Sequence, residues 1–377
     1  MSELKDENGT KRKKPDDGFE VERPLKRARI LAPESRDQRR VAEHYNSIHN
    51  QSRMARQHSR TIKSKKINNW VKTVLLNMFV AEGSIALDFG GGKGGDLIKW
   101  QHQKISKLVF IDHALSSVND ARDRYNGGLS ELKIQYPIEM ICCDLFRVNL
   151  DIILNNKLYF DVISSQFVIH YAFENKERVN ALLHNVSCRL REEGCFIGTT
   201  TDDNVLIKKW RNAGPGNHTF GNRVYKIKFD TSNKNDKDFI SHKKMKKYIV
   251  NDDIKEPYGI RYHFQLDDAV DCPEYLLNFN NFVNQAKKYG LQLILDMNFH
   301  EFFVRYHNHP SYSQLTQRII IDKYCQNKYQ ISDDQWEISY LYKVFAFKKI
   351  KTNNKKKYPQ YNITPPIRID ESDIKKY

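Results

Sequence analysis

The sequence lacks the features of secreted, disulfide-stabilised and membrane-spanning proteins. Its 377 residues include only six cysteines, none of which forms a C-x-x-C pair. A structural zinc site or a disulfide framework is therefore not expected, and reduced thiols suit an intracellular compartment. The N-terminus has no apolar signal-peptide core, and no apolar run is long enough to cross a bilayer. We expect an intracellular protein with no membrane contact and no bound metal.

Negative charge is also scarce relative to positive charge. The chain carries 62 Lys and Arg residues against 46 Asp and Glu residues, which gives a net charge of +16 at pH 7. Clustered Lys and Arg gain free energy by displacing the counterions of phosphates, so this excess favours a polyanionic partner. A generally basic, solvated surface is the alternative.

Both ends of the chain are polar and poor in large apolar residues. Residues 1–37 are expected to form a disordered arm, and residues 350–377 a poorly ordered tail. The arm holds two basic clusters, 11–14 and 23–29, whose spacing is typical of a bipartite nuclear localisation signal. We predict import into the nucleus, with RNA binding by the arm or simple solvation as alternatives.

Between the two ends, residues 38–349 show the periodicity of an α/β domain. An apolar stripe at helical spacing predicts a helix over 67–80. Apolar segments that alternate with helical ones predict a doubly wound parallel sheet. The predicted strands are 84–88, 107–112, 137–143, 159–165, 194–200, 292–297 and 339–347. No helical pattern directly precedes the last of these, which favours an antiparallel last strand.

One region does not fit a minimal sheet. Residues 211–265 contain a lysine-rich stretch at 234–247 and two β-like segments at 224–229 and 260–266. We interpret the region as an inserted α+β subregion.

A glycine-rich turn follows the first predicted strand. Gly90, Gly92 and Gly95 match the pattern G-x-G-x-x-G, and Asp112 lies about twenty residues further on, as in dinucleotide-binding proteins. That pattern alone is weak evidence. A P-loop is excluded because Gly94 stands where Ser or Thr is needed.

Acidic residues near the ends of the first three strands point to a different ligand. Asp88, two residues before the first glycine, resembles the first motif of class I methyltransferases, whose turn approaches the amino-acid end of S-adenosylmethionine. Asp112 could accept both ribose hydroxyls, and Asp144 could reach the adenine amino group. Helix N-capping is the alternative for both. Ligands bind at the carboxyl ends of such strands, which favours the cofactor interpretation.

Six further segments resemble the eukaryotic mRNA cap guanine-N7 methyltransferases over roughly residues 40–348. They are Asn68-Asn69-Trp70-Val71-Lys72, residues 92–100, Ser165-Gln166-Phe167-Val168-Ile169-His170-Tyr171, and residues 197–200, 270–275 and 340–347. The resemblance implies a class I methyltransferase fold of about seven strands, S-adenosylmethionine as cofactor and methyl transfer to N7 of a GpppN cap. It also implies capped RNA, and capping enzymes or the transcription machinery, as partners. Another S-adenosylmethionine-dependent RNA methyltransferase and a catalytically silent RNA-binding scaffold are the alternatives.

The resemblance also assigns roles to individual residues. The cofactor would contact Lys72, Asp88, Gly90, Gly92, Asp112, Asp144, Gln166 and Tyr171. The cap would contact Asn68, Asn69, Lys93, Lys99, Arg124, His170, Glu274 and Tyr340. One departure is Gly91, where relatives often carry Cys, and we expect it to loosen the loop slightly.

Elementary chemistry supports several of these roles. Glu274 suits guanine, because a carboxylate accepts from N1–H and the N2 amino group, whereas adenine presents an acceptor at N1. Its alternative is a place in the first turn of a helix running to 289. Lys93 is expected in the first turn of a helix, where the macrodipole disfavours a cation unless a triphosphate lies nearby. His170 and Tyr171 are expected to wall and position the base, with Tyr340 stacking on it, and no general base is required.

Overall fold

The computed structural model describes residues 35–47, 59–127, 134–214, 216–230, 257–320, 331–351 and 366–374. Both basic clusters of the N-terminal arm and the lysine-rich stretch 234–247 lie outside this part of the chain. The described helices are α1 (Arg36–Ser47), α2 (Ile62–Phe79), α3 (Leu97–His102), α4 (Leu115–Tyr125), α5 (Leu150–Ile153), α6 (Lys176–Arg189), α7 (Asp203–Asn212), α8 (Phe279–Lys287), α9 (Phe299–Tyr306), α10 (Ser313–Ile319) and α11 (Asp333–Tyr340).

The large sheet has eight strands within the described residues. Across the sheet these are β10 (Leu291–Asn298), β11 (Tyr342–Lys349), β5 (Leu190–Thr201), β4 (Phe160–Gln166), β1 (Ile85–Phe89), β2 (Lys107–Asp112), β3 (Ile138–Cys142) and β12 (Ile367–Arg368). Strands β1 to β5 pair in parallel, whereas β11 runs antiparallel to both of its neighbours. The predicted doubly wound sheet with an antiparallel last strand is therefore confirmed.

Helices cover both faces of this sheet because its central strands are apolar on both sides. In β1, Ala86 packs into one core cluster, while Leu87 and Phe89 pack into the other. The first cluster is built around Trp70 of α2 and Trp100 of α3. The order of the strands reverses between β1 and β4, and the carboxyl ends of strands at such a switch point form a crevice for ligands.

A second sheet of four strands contains the predicted insertion. It consists of β6 (Thr219–Gly221), β7 (Tyr225–Phe229), β8 (Arg261–Leu266) and β9 (Val270–Tyr275), all antiparallel. The two predicted β segments are confirmed as β7 and β8. The sheet continues past the predicted end of the insertion at 265, because β9 completes it.

Three expectations need correction. Helix α11 directly precedes β11, with the Ser332 side chain capping it through a bond from the Gln335 amide, so residues 339 and 340 are helical. Glu274 lies in β9 and not in a helix, since the following helix begins at Phe279. Part of the polar tail is ordered, because β12 pairs with β3 at the sheet edge.

No helix in the described ranges combines the length and the apolar character that a membrane span needs.

Candidate active site

A cavity of about 350 Å³ lies at the carboxyl ends of β1 to β4. Its wall contains seven of the eight predicted cofactor residues: Lys72, Gly90, Gly92, Asp112, Asp144, Gln166 and Tyr171. It also contains two of the predicted cap residues, Lys93 and Arg124. The structure thus brings together side chains from six separate segments of the chain.

The glycine turn needs the conformational freedom of glycine. Gly90 and Gly92 have φ angles of 87° and 56°, in the left-handed region that favours glycine. A Cβ atom added to Gly91 would lie 2.0 Å from the Phe110 ring. Phe110 therefore occupies the space that a side chain would need, and the expectation that Gly91 merely loosens the loop was incomplete.

Asp112 ties the end of β2 to the glycine turn. Its Oδ2 accepts a 2.8 Å hydrogen bond from the Gly92 amide, and its Oδ1 accepts a 2.9 Å bond from the Ala114 amide. Burial raises the pKa of this carboxyl group above its usual value, and the two amide bonds oppose that rise. Each carboxylate oxygen can accept a second bond, so both remain able to receive hydroxyl donors from a ligand.

Asp144 is held by an arginine that the sequence did not reveal. Nη1 of Arg178 lies 2.8 Å from Oδ2 of Asp144, and the Phe146 amide donates to Oδ1 at 2.9 Å. Burial alone would raise the pKa of Asp144, but the Arg178 charge lowers it below its usual value. Asp144 is thus fixed as an ionised acceptor in the cavity wall.

Two half-buried lysines contact the buried Asp96, just before the start of α3. Lys72 and Lys99 contact the Asp96 carboxylate at 2.8 and 2.7 Å. Although burial opposes it, the two cations hold the pKa of Asp96 well below its usual range. Lys72 and Asp96 line the cavity, whereas Lys99 bonds to Oδ1 of the exposed Asn69 and is not part of the wall.

Asp88 does not line the cavity. It is buried behind the glycine turn, where its Oδ2 accepts a 3.1 Å bond from the Trp100 indole. Burial raises the pKa of Asp88 to about 7. This position does not support the predicted direct contact between Asp88 and the cofactor.

Two of the positively charged residues predicted to bind the cap, Lys93 and Arg124, lie at the cavity. Lys93 lies in the glycine turn, four residues before α3 begins at Leu97, so its expected place in the first helical turn was wrong. It forms a 2.8 Å ion pair with Asp120 of α4, and Arg124 lies on the same helix. Both cations line the cavity wall.

A buried polar cluster adjoins the cavity behind Tyr171. Nε2 of His170 lies 3.5 Å from Oε1 of Glu274, and the Tyr262 hydroxyl donates a 2.8 Å bond to Oε2 of the same carboxyl group. His170 and Glu274 are only 2% and 3% exposed. Neither ring nitrogen of His170 has a hydrogen-bond partner within the described ranges. Buried polar atoms of this kind are the ones that a polar ligand would satisfy.

The remaining predicted cap residues lie apart from the cavity wall. Asn68 on α2 has a buried Oδ1 without a hydrogen-bond partner among the described residues. Tyr340 ends α11 and packs at 4.9 Å on the ring of His300. Tyr340 therefore lies at the end of a helix, and not near the start of the last strand as expected. Stacking of Tyr340 on a base stays a prediction.

Helix α1 covers part of the cavity and was not anticipated. The predicted disordered arm ended at 37, but α1 begins at Arg36. Three side chains tie the helix down. Asp37 accepts a 2.8 Å bond from Tyr275, Gln38 donates to Glu174 at 2.7 Å, and the hydroxyls of Tyr45 and Tyr171 are 3.2 Å apart. Val41, Ala42 and Tyr45 of α1 line the cavity, although no residue of this helix is buried.

The arrangement of residues around the cavity agrees with the proteins to which the chain is similar in sequence. Residues 31–350 match the mRNA (guanine-N(7))-methyltransferase domain. The chain is 39% identical over 315 residues to an mRNA cap guanine-N(7) methyltransferase 1 from Oryza sativa subsp. japonica, covering 82% of this chain and 81% of the relative. It is 40% identical over 316 residues to the protein of the same name from Arabidopsis thaliana, with the same coverage.

A more distant relative and a solved structure extend the comparison. The mRNA cap guanine-N(7) methyltransferase of Saccharomyces cerevisiae is 32% identical over 331 residues, covering 82% of this chain and 70% of the relative. The structure of the CcbJ methyltransferase from Streptomyces caelestis covers 82% of this chain and 96% of its own, with a TM-score of 0.44 and 9% identity. On the strength of the matched domain and the sequence relatives, this chain belongs to the mRNA (guanine-N(7))-methyltransferase family.

Proposed function

We propose that this protein transfers a methyl group from S-adenosylmethionine to N7 of the terminal guanosine of GpppN-capped RNA. The observation that carries the proposal is the buried Glu274 carboxyl group beside the cofactor cavity. It is held from one side by Tyr262 and faces His170 on the other. Family membership supplies the reaction class, and this cluster gives a physical reason for the choice of base.

The cavity residues fit the cofactor. Asp112 and Asp144 offer carboxylate oxygens for the ribose hydroxyls and the adenine amino group, because each is fixed by backbone amides or by Arg178. The glycine turn lets the backbone approach a ligand closely, since Gly90 and Gly92 need no room for a side chain. S-adenosylmethionine, when bound, supplies the methyl group from a sulfonium centre.

Guanine recognition follows from the donors and acceptors of the buried cluster. Oε1 of Glu274 has no hydrogen bond from His170, whereas Oε2 already accepts one from Tyr262. Guanine offers N1–H and the N2 amino group, and adenine would place an acceptor against the carboxylate. A mismatch of this kind costs about 1–3 kcal/mol, which favours a guanine cap over an adenine cap roughly 5- to 150-fold.

The reaction needs alignment and no proton transfer. N7 of guanine has a lone pair and carries no proton at neutral pH, so no residue has to act as a general base. His170 and Tyr171 then serve as walls for the base. Their rings lie 4.3 Å apart, with Tyr171 in the cavity wall and His170 behind it. Positioning of two reactants can supply up to about 7–11 kcal/mol in favourable cases.

Comparison of matched caps tests this proposal. The methylation rate should be higher on GpppA-RNA than on ApppA-RNA of the same sequence, and uncapped RNA should not be modified. Equal rates on the two caps would favour another RNA methyltransferase. Absence of any thermal shift with S-adenosylhomocysteine would instead favour the silent scaffold.

The polyanionic substrate and the cell compartment complete the proposal. Because the chain carries a net charge of +16, its affinity for capped RNA should fall as the salt concentration rises. The logarithm of the binding constant should fall against the logarithm of the salt concentration with a slope of about −0.7 per neutralised phosphate.

Nuclear import is assigned to the basic clusters at 11–14 and 23–29. Deleting residues 1–34 should reduce import and spare the chemistry on a GpppA dinucleotide, because α1 is retained. Contacts with capping enzymes or the transcription machinery stay a prediction.

A further inference from the structure

A second group of ligating side chains lies outside the cofactor cavity. It consists of Asp151 on α5 with His184 and Cys188 on α6, and their ligand atoms all lie within 4.8 Å of one another. His184 and Cys188 are four residues apart and so share one face of α6. The group was not predicted from the sequence, because the chain contains no C-x-x-C pair and Asp151 is 33 residues from His184.

The spacing of the group fits a small ion. Oδ2 of Asp151 and Nε2 of His184 are 3.5 Å apart. Two nitrogen or oxygen ligands of a tetrahedral zinc ion are separated by about 3.4 Å, so the two distances agree. One thiol, one imidazole and one carboxylate form the donor set of transition metals such as zinc, whereas magnesium and calcium prefer oxygen ligands alone.

The surroundings hold these side chains in place. Oδ1 of Asp151 lies 2.9 Å from Nε of Arg189, which leaves Oδ2 to face His184. This contact is an ion pair, and a neighbouring charge that orients a ligating carboxylate is typical of metal sites. Asn185 also fixes α6 against the segment before α5, because its side chain accepts from the Leu150 amide at 3.0 Å and donates to the Val148 carbonyl at 2.8 Å.

Charge and access are compatible with binding. A metal ion would displace the thiol proton of Cys188 on binding. The carboxylate and the thiolate of the metal-bound site would then carry two negative charges, of which Arg189 offsets one. The Asp151 side chain is 45% exposed, which gives an ion a route from solvent. None of the three residues lines the cofactor cavity.

We propose that Asp151, His184 and Cys188 form a binding site for one divalent transition-metal ion of the zinc class, with water as the fourth ligand. The ion would join α5 to α6, and α6 also carries Arg178 at the cofactor cavity. The site is separate from the methyl-transfer chemistry, for which no metal is invoked.

Cobalt titration of the full chain tests the site. The protein is freed of metal with a chelator and titrated with Co²⁺, whose bond to a thiolate gives a charge-transfer absorption band. We expect one equivalent of Co²⁺ per chain with that band, displaced by Zn²⁺. Cys188→Ser should remove the band, and His184→Asn should weaken Co²⁺ binding at least about tenfold.

The matched control is Cys195→Ser, which alters a partly exposed thiol on β5. It should keep the band and the stoichiometry. Circular dichroism of the metal-free variants checks their folding, and Asp151→Asn serves as a second variant that should weaken binding while keeping the band. A wild-type chain without a thiolate band at saturating Co²⁺, or a band that survives in a folded Cys188→Ser variant, would overturn the proposal.

Discussion

The hydroxyl group of Tyr262 donates a 2.8 Å hydrogen bond to Oε2 of Glu274, and both side chains are buried. The two residues are directly opposite each other on the paired strands β8 and β9. The small sheet therefore fixes the direction of the carboxyl group before any ligand arrives. That relationship makes Tyr262 a positioning residue for the proposed guanine contact.

Removing this hydroxyl should impair the reaction on capped RNA. Hydrogen bonds to charged groups contribute about 1.5–3 kcal/mol, so Tyr262→Phe should lower kcat/KM for GpppRNA roughly 10- to 150-fold. The matched control is Tyr225→Phe on β7, whose hydroxyl bonds to Glu337 at 3.1 Å away from the cluster. Steady-state kinetics should show little change in kcat/KM for Tyr225→Phe. An equal loss of kcat/KM in both variants would mean that the loss comes from reduced stability and not from the Glu274 contact.

Truncation of the carboxyl group itself should separate the two ligands. Glu274→Ala is expected to lose most of the activity on GpppRNA while cofactor affinity stays nearly intact, because Glu274 is outside the cavity wall. Calorimetry with S-adenosylhomocysteine and cap-binding assays provide the measurement. If cofactor binding collapses and cap binding survives, the assigned role is wrong.

At the cofactor end, Asp112→Ala should weaken S-adenosylmethionine binding more than tenfold, above about 1.4 kcal/mol. The substitution removes a carboxylate from the cavity wall and the bond that holds the Gly92 amide. Asp123→Ala is the control on the adjoining helix, where the carboxylate is exposed and pairs with its neighbour Arg122. If calorimetry shows the same affinity for S-adenosylmethionine in Asp112→Ala and in wild type, Asp112 is not part of the cofactor site.

The sequence predicted the parts of the fold that depend on local periodicity. The predicted bounds of β1 to β4 lie within one residue of the observed ones, because their apolar segments are clearly delimited. Strand β5 begins four residues before its predicted start, and helix α2 begins five residues before its own. The glycine turn and Asp112 were found for the same reason, since turn chemistry is local.

What the sequence could not reveal depends on contacts between distant segments. Arg178 is 34 residues from Asp144, and Tyr262 faces Glu274 only because β8 and β9 pair. Helix α1 has no buried residue and is held by polar bonds to the distant residues Tyr275 and Glu174, which no local pattern reveals. The space at Gly91 is set by Phe110 on the neighbouring strand.

Protein stability should depend on pH through Asp88. Burial raises its pKa from 3.8 to about 7, so the folded state binds more protons than the unfolded state between these values. Stability therefore falls as pH rises from about 4 to about 7. Asp88→Asn cannot ionise and can still accept from Trp100, so the variant should be more stable than wild type at pH 8.

Urea unfolding at several pH values measures this effect. The stability difference between Asp88→Asn and wild type should vanish near about pH 3, below the unfolded pKa of 3.8, where the wild-type carboxyl group is neutral in both the folded and the unfolded state. The exposed Asp123→Asn variant should show no such pattern. A difference that is constant with pH would contradict the account of Asp88.

The role of His170 can be tested by the pH dependence of the chemical step. Because N7 needs no deprotonation, the wild-type rate at saturating substrates should be nearly flat across the neutral range, and His170→Ala should slow the reaction through misplacement. A single inflection near the ordinary histidine value of about 6.5, absent in His170→Ala and seen with chemistry rate-limiting, would restore His170 as an acid–base residue.

The position of the transferred methyl group tests methylation of N7 most directly. The protein is incubated with S-adenosylmethionine labelled in its methyl group and with GpppA-RNA, and the product is digested with nucleases. We expect all label to be recovered as N7-methylguanosine from the cap. Label on an adenine or on an internal base, or no label above a protein-free control, would contradict methylation of N7.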